Sequence, residues 1–463
     1  MSHPRPLPRR GVPKAVLLLA VLLALPLARP APAATAPADP GSAGVPDRVV
    51  LQVQPDAPLV ALTIRYPFGH AQDPEAREGS AHLLARIVTE EGTAQVNELA
   101  GRVEARVGTH EFEVTVLAPP GEWDRAWRRV RALLTDASLP GGALDRARAG
   151  QLDRITFEEG APVREFERER SHLLLGDGSP GTRRPMGTRE SLQAITAGDL
   201  EDWRARHLAP SGAVLAVVGP LSARQVEAGV GRVPMDVMDT PGRPERDPAA
   251  PADTTPRAPV LPSSSSPLRP ATGPDASRAW ESDRRRQVDR DVTSSWVAVA
   301  WPLPSGTSPV LTGFLAHLLR EELNPVPADR DLYRSDVEIR QVNDRPILLV
   351  TTTVHPPATL RWEARILDAM DRIAEAPPEG SFFALTRRRY RAEVVLSEAV
   401  PETRSRLLAR AMAADGQLPP DLTREIWALD REGVAALAAE AGPVRILVFG
   451  PSAMMEPLPS GSP

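Results

Sequence analysis

Residues Gly79–Thr93 read Gly-Ser-Ala-His-Leu-Leu-Ala-Arg-Ile-Val-Thr-Glu-Glu-Gly-Thr. Within this stretch Leu83, Leu84, Ile87 and Val88 recur at helical spacing, and a glycine stands near each end. The pattern predicts an amphipathic helix with one buried face, around which the rest of the chain can be placed.

The histidines of the chain limit what this helix can bind. The sequence has eight, at positions 3, 70, 82, 110, 172, 207, 317 and 355. A zinc-binding helix uses two imidazoles one turn apart, so that both reach the metal from one face. No two histidines here are three or four residues apart, which excludes such a helix anywhere in the chain.

The frame of this stretch nevertheless resembles the metal-binding helix of the insulinase and pitrilysin metallopeptidases, whose motif is His-x-x-Glu-His. The corresponding residues are His82, Leu83, Leu84, Ala85 and Arg86. Ala85 cannot act as a general base, and the guanidinium of Arg86 cannot serve as a ligand. The resemblance therefore implies a degenerate metal site, and we expect no bound zinc and no catalytic residue.

The third zinc ligand of that family is a Glu on a later helix, and the resemblance places Arg154 at its position. A shift of one turn places Glu158 there instead, and both alignments remain open. Arg86 or Arg154 could pair with a nearby carboxylate and fill the emptied site, or both could be solvated surface residues.

The first 36 residues have the composition of a cleavable export signal. A basic start is followed by the apolar run Ala15–Ala28 and then by small residues. The run is shorter than the roughly 20 residues that span a bilayer. We therefore expect a periplasmic or secreted protein without a membrane span.

Composition excludes several other classes of function. The chain has no cysteine, so it forms no disulfides. Its net charge is −5 and its pI is near 6.0, without a basic stripe, so nucleic acid is not an expected partner.

The order of elements appears twice, on either side of a segment rich in Pro and Ser. Each half contains a strand that ends at a Pro-Gly turn, an amphipathic helix, two strands, further helices and a final strand that ends in Gly-Pro. This repetition predicts an α+β fold of two homologous domains, each a mainly antiparallel sheet with helices packed on one face. The predicted divisions are a signal peptide (1–36), an N-terminal domain (37–234), a linker (235–279), a C-terminal domain (280–455) and a tail (456–463).

The duplicated layout also resembles the insulinase and pitrilysin family over nearly the whole mature chain, most specifically in Gly79–Thr93 and from Pro185 to Pro220. The resemblance implies a clamshell of two halves, with a peptide added as a strand to a sheet edge near Arg102–Val107. It also implies a peptide-binding Arg and Tyr in the second half, and Arg330 and Tyr333 lie in the corresponding loop.

Three functions follow from these observations. The first is an exported homologue without catalytic activity that binds peptide or serves as the non-catalytic subunit beside an active insulinase-family partner. The second is a divergent zinc endopeptidase with an atypical ligand set, such as His82 with Glu158 and a residue from elsewhere. The third is a structural scaffold that no longer binds peptide.

Overall fold

The computed structural model describes residues 46–455 except for 136–137, 176–183, 209–211, 240–283, 325–328, 343–344, 417 and 419–420. The predicted signal peptide and tail, and residues 240–279 of the predicted linker, lie outside the described residues. The described strands are β1 (Arg48–Val53), β2 (Val60–Tyr66), β3 (Arg102–Val107), β4 (Phe112–Ala118), β5 (Val214–Gly219), β6 (Met235–Asp239), β7 (Arg285–Asp289), β8 (Ser295–Pro302), β9 (Leu332–Val342), β10 (Arg345–Val354) and β11 (Arg445–Gly450). The described helices are α1 (Ser80–Val96), α2 (Trp123–Thr135), α3 (Ala143–Glu159), α4 (Pro162–Leu175), α5 (Arg189–Ala194), α6 (Ala197–His207), α7 (Ala223–Val230), α8 (Pro309–Leu323), α9 (Thr359–Glu375), α10 (Gly380–Glu398), α11 (Pro401–Asp415), α12 (Leu422–Ala428) and α13 (Arg431–Ala439).

Each half forms one sheet in which antiparallel pairs predominate. The first sheet has the order β3-β4-β2-β5-β1-β6, and only β1 pairs in parallel, with β5 and β6. The second has the order β7-β11-β8-β10-β9, with one parallel pair between β7 and β11. The predicted fold class is therefore confirmed. Strand β6 occupies the first five residues of the segment predicted as linker.

The central strands are mostly apolar because both of their faces are covered. Every residue of β2, β5 and β11 is buried. On one face the helices of the same half supply the core, with α1 and α2 over the first sheet and α8 and α9 over the second.

The other face of each sheet is covered by a helix from the opposite half. Helix α11 packs Leu408, Ala409 and Met412 on the first sheet, and α4 packs Phe166 and Leu173 on the second. These two exchanged helices were not predicted. The sequence predicted a long helical region in each place, Leu144–Leu175 and Phe382–Ala414. The first is interrupted at Gly160 and Ala161 and the second at Ala399 and Val400, which lets α4 and α11 leave their own half.

A buried ionic cluster fixes α11 to the first sheet. Arg406 is 2% exposed at its side chain and lies 2.9 Å from Glu104, 3.2 Å from Glu113 and 3.0 Å from Glu402. The carboxylate of Glu113, 3% exposed, comes from β4, whereas Arg406 comes from the second half. Since a buried charge is costly without partners, this cluster holds the halves in one register.

None of the helices in the described part of the chain combines the length and the apolar character that crossing a bilayer requires.

Candidate functional site

The start of α1 is held by a buried carboxylate from the loop before it. Asp73 accepts hydrogen bonds from the backbone N–H groups of Gly79, at 2.9 Å, and of Ala81, at 3.0 Å. Gly79 has a φ of +93°, and a Cβ there would lie 2.7 Å from the carbonyl oxygen of Met186, so only glycine fits. Burial raises the pKa of Asp73 to about 7, although the two backbone hydrogen bonds oppose this shift.

His82, the third residue of α1, lies among neutral and cationic groups. Its ring centroid is 6.1 Å from that of His70, which belongs to the loop before α1. The backbone of Pro185 accepts a hydrogen bond from the imidazole. The pKa of His82 is lowered to about 4, mainly by burial and also by the charges of His70 and Arg154, against the effect of the Pro185 bond. His82 is therefore neutral over the physiological range.

The position of the second ligand is filled by a guanidinium. Arg86 lies one turn after His82, and its Nε is 2.7 Å from Oε1 of Glu90. The side chain also rests on the backbone of α3, since a Cβ built at Gly150 would lie 2.1 Å from Nη2 of Arg86. Ala85, at the position of the general base, is buried in the core of the first half.

Both candidates for the third ligand belong to one ion-pair cluster. On α3, Nε of Arg154 lies 2.9 Å from Oε1 of Glu158, and Arg164 contacts the same carboxylate oxygen. The side chain of Arg154 is 60% exposed and that of Glu158 is 12% exposed. Arg86 and Arg154 thus each pair with a carboxylate one turn further along their own helix, and both keep some contact with solvent.

A cavity of about 600 Å³ adjoins this site. It is lined by the end of α3, by α4 and by residues 184–187, and it includes Glu158, Pro185 and Met186. Among the residues that the structure describes, no group of three or more His, Asp or Glu side chains could hold a metal ion. Because zinc sites use at least three protein ligands, the donors present around His82 do not fit zinc.

The sheet edge expected to receive a peptide is partly covered. Strand β3 does form the edge of the first sheet. However, Oγ1 of Thr93 donates to the carbonyl of Val103 at 3.1 Å, and Oγ1 of Thr89 accepts from the N–H of Ala105 at 2.9 Å. The N–H of Val103 also reaches Thr93, at 3.3 Å. A peptide strand pairing here would have to displace both hydroxyls.

Arg330 and Tyr333 lie at the start of β9, the edge strand of the second sheet. Both are exposed, Tyr333 to 55%. The His82 cluster instead belongs to the helical layer of the first half, so the structure assigns these two predicted groups to different sheets.

Sequence analysis missed two features of the site. His70 was not singled out, because the turn that brings its loop beside α1 leaves no signal in residue spacing. The second half also repeats His82-Leu83-Leu84 as His317-Leu318-Leu319 on α8. There Nδ1 of His317, in a side chain that is 1% exposed, lies 3.4 Å from Oε2 of Glu393. This repeat could have been found by comparing the two predicted helices letter by letter.

The sequence matches no protein-family model and no curated relative. Solved structures do match. The peptidase M16 inactive domain from Pseudomonas fluorescens superposes with a TM-score of 0.65 at 15% identity, over 89% of this chain and 97% of that one. A protease from Helicobacter pylori gives 0.66 at 14% identity, over 87% and 96%. The periplasmic protease PqqL from Escherichia coli gives 0.62 at 11% identity, over 86% of this chain and 44% of that one. At these identities the likeness establishes a shared fold.

Proposed function

We propose that this chain, whose fold is that of the insulinase-like M16 peptidases, is an exported homologue that does not cleave peptides itself. It binds peptide, or serves as the non-catalytic subunit of a two-subunit zinc protease. The observation that carries the proposal is the side chain of Arg86, which rests against the backbone of Gly150 where a second zinc-binding imidazole would lie.

The charges around His82 support the absence of zinc. A fixed cation about 4 Å from a divalent ion costs on the order of 8 kcal/mol at an effective dielectric near 20. Arg154 is close enough to lower the pKa of His82, and Ala85 offers no base to activate water. The P. fluorescens structure, described as an inactive domain, shows that this fold exists without activity.

Export has support of its own. The first 36 residues read as a cleavable signal, and the fold neighbour PqqL is a periplasmic protease. The partner we expect is an active subunit that carries an intact His-x-x-Glu-His motif.

The test is metal analysis and peptide cleavage with the purified mature chain. We expect well under one zinc per chain and no chelator-sensitive cleavage of an unfolded peptide. One tightly bound zinc per chain would refute the proposal. Mixing the chain with an active M16 subunit encoded beside it should raise the activity of that subunit, and Arg330→Ala with Tyr333→Ala should weaken this effect.

The proximity of His70 and His82 favours one rival, a zinc endopeptidase with an atypical ligand set. In that case Glu158 would leave Arg154 and join the two imidazoles. The rival requires chelator-sensitive cleavage that disappears in both His70→Gln and His82→Gln. A purely structural scaffold would show neither cleavage nor peptide binding nor stimulation of a partner.

A further inference from the structure

A second cavity, of about 480 Å³, lies under the edge of the second sheet, and Glu167 of α4 lines both this cavity and the one beside the degenerate site. It is bounded by β9, β10 and the exchanged helix α4. One wall is aromatic, because Phe166 of α4 and Trp296 of β8 stack with their ring centroids 6.1 Å apart. The cavity therefore offers an apolar surface beside an edge strand.

Two hydrogen-bond donors on the lining of this cavity have no partner. Nη2 of Arg320 donates to the carbonyl of Val337 on β9 at 2.8 Å, but Nη1 of the same guanidinium is buried without a hydrogen-bond partner among the described residues. The hydroxyl of Ser335, also on β9, is likewise buried without a hydrogen-bond partner among those residues. Unpaired buried donors are costly, so an acceptor that reaches either of these two groups would be bound favourably.

The two halves share a contact between an arginine and a threonine on the sheet face that the exchanged helix covers. Under the first sheet, Nε of Arg406 donates to Oγ1 of Thr115 at 3.1 Å. Under the second sheet, Nη1 of Arg170 donates to Oγ1 of Thr351 at 3.3 Å. The two arginines come from the two exchanged helices. The distance in sequence from Arg170 to Arg406 equals the distance from Thr115 to Thr351, so the two contacts occupy matching positions in the two halves.

The carboxylate that completes the first site is missing from the second. Glu113, two residues before the threonine of the first half, lies 3.2 Å from Arg406. Its counterpart, two residues before the threonine of the second half, is Leu349. Arg170, which is 7% exposed, pairs instead with Glu167 on its own helix. A buried leucine in the second half therefore stands where the first half has a buried acid.

The remaining charges leave the cavity cationic. Arg334 pairs with Asp336 at 2.5 Å, and Arg340 pairs with Glu338 at 2.8 Å. Arg320 forms no ion pair within 4 Å with any described residue, and the carboxylates that act on its charge, those of Glu393, Asp336 and Glu321, lie further away. An anion is the ligand that this arrangement favours.

We propose that this cavity binds a carboxylate side chain of an acidic peptide that lies extended along β9. The inference rests on the peptide binding of the proposed function. It locates that binding at β9 and specifies a preference for acidic peptides. Strand β9 is 11 residues long and forms a sheet edge, where an added strand can pair through its backbone. Alternate side chains of such a strand point to the same side, so an acidic residue at every second position would face the cavity.

The test measures fluorescence anisotropy of the full chain with three labelled peptides, in which Leu alternates with Glu, with Gln or with Lys. We expect the Glu peptide to bind at least about tenfold more tightly than the other two. Arg320→Gln removes the charge while a side-chain amide can still donate to the strand carbonyl, and it should weaken binding of the Glu peptide by about tenfold. Ser335→Ala should weaken binding by a few-fold without lowering stability, because its hydroxyl has no hydrogen-bond partner in the part of the chain that the structure describes.

The matched control is Arg128→Gln, the same charge change on an exposed helix of the first half, and it should bind as the wild type does. Equal binding of the Glu and Gln peptides, or wild-type affinity in Arg320→Gln, would overturn the proposal. Full displacement of the Glu peptide by sulfate at matched ionic strength would overturn the peptide assignment and leave a simple anion site. Metal content and cleavage are measured separately, so the zinc-free proposal can stand while this one fails.

Discussion

Arg406→Met should lower the free energy of unfolding by about 3 kcal/mol. Breaking a buried ion pair by removing one partner costs roughly 3–5 kcal/mol, because the other charge is left uncompensated. Here the buried carboxylate that loses Arg406 as a partner is that of Glu113, which is 3% exposed. Glu104 and Glu402 can reach solvent more easily. Two further arginines remain 3.7 and 3.8 Å from Glu113, which places the cost at the lower end of the range.

The assay is urea unfolding followed by tryptophan fluorescence, with circular dichroism as the second probe. Arg125→Met removes an arginine that is 51% exposed and pairs at the surface, and it should cost less than about 1 kcal/mol. The double variant Arg406→Met with Glu113→Leu should recover part of the loss, because it removes the buried carboxylate while Arg65 and Arg410 keep Glu111 as a partner. A cost below 1 kcal/mol for Arg406→Met, or additive losses in the double variant, would refute the reasoning.

The remaining predictions concern α1 and its surroundings. Because the folded pKa of His82 is about 4 and the unfolded value is near 6.5, folding favours the neutral imidazole, and His82 contributes stability that is lost as pH falls from about 6.5 to 4. This amounts to about 3 kcal/mol, and His82→Gln should flatten that part of the curve of unfolding free energy against pH; an unchanged curve would contradict the assignment. The triple variant Ala85→Glu, Arg86→His, Arg154→Glu should raise metal content to about one zinc per chain, as measured by mass spectrometry of metals, if the scaffold keeps its ligand geometry. The double variant that retains Arg154 is its control and should bind less, and equal loading of the two would show that position 154 is not the third-ligand site. Gly79→Ala should lower stability by roughly 1–3 kcal/mol in thermal unfolding, since alanine at φ +93° is strained and its Cβ would meet a backbone carbonyl; a neutral effect would mean that the loop can move.

Local patterns predicted local structure well. The edge strand Arg102–Val107 was predicted with its observed bounds, and the helix predicted within Gly79–Thr93 begins at Ser80 and ends at Val96, three residues beyond that stretch. Periodicity of 2 and of 3.6 residues records which face of an element is buried, so these elements could be found without a structure.

Partners across the fold were less predictable. Leu408 and Phe166 are apolar at helical spacing, which shows that they are buried but not that each lies on the sheet of the other half. Likewise nothing in the spacing of His70 and His82 shows that a loop brings their rings together. Periodicity describes one element at a time, whereas a site is made by several.

The exchange of α4 and α11 has a consequence for how this molecule can change over evolutionary time. Each sheet depends for one of its two covers on a segment encoded in the opposite half of the gene. Either half on its own would therefore expose an apolar sheet face to water. Its exchanged helix would also lack the sheet on which it packs. As the two halves change in sequence, each exchanged helix must therefore stay complementary to the sheet face of the other half.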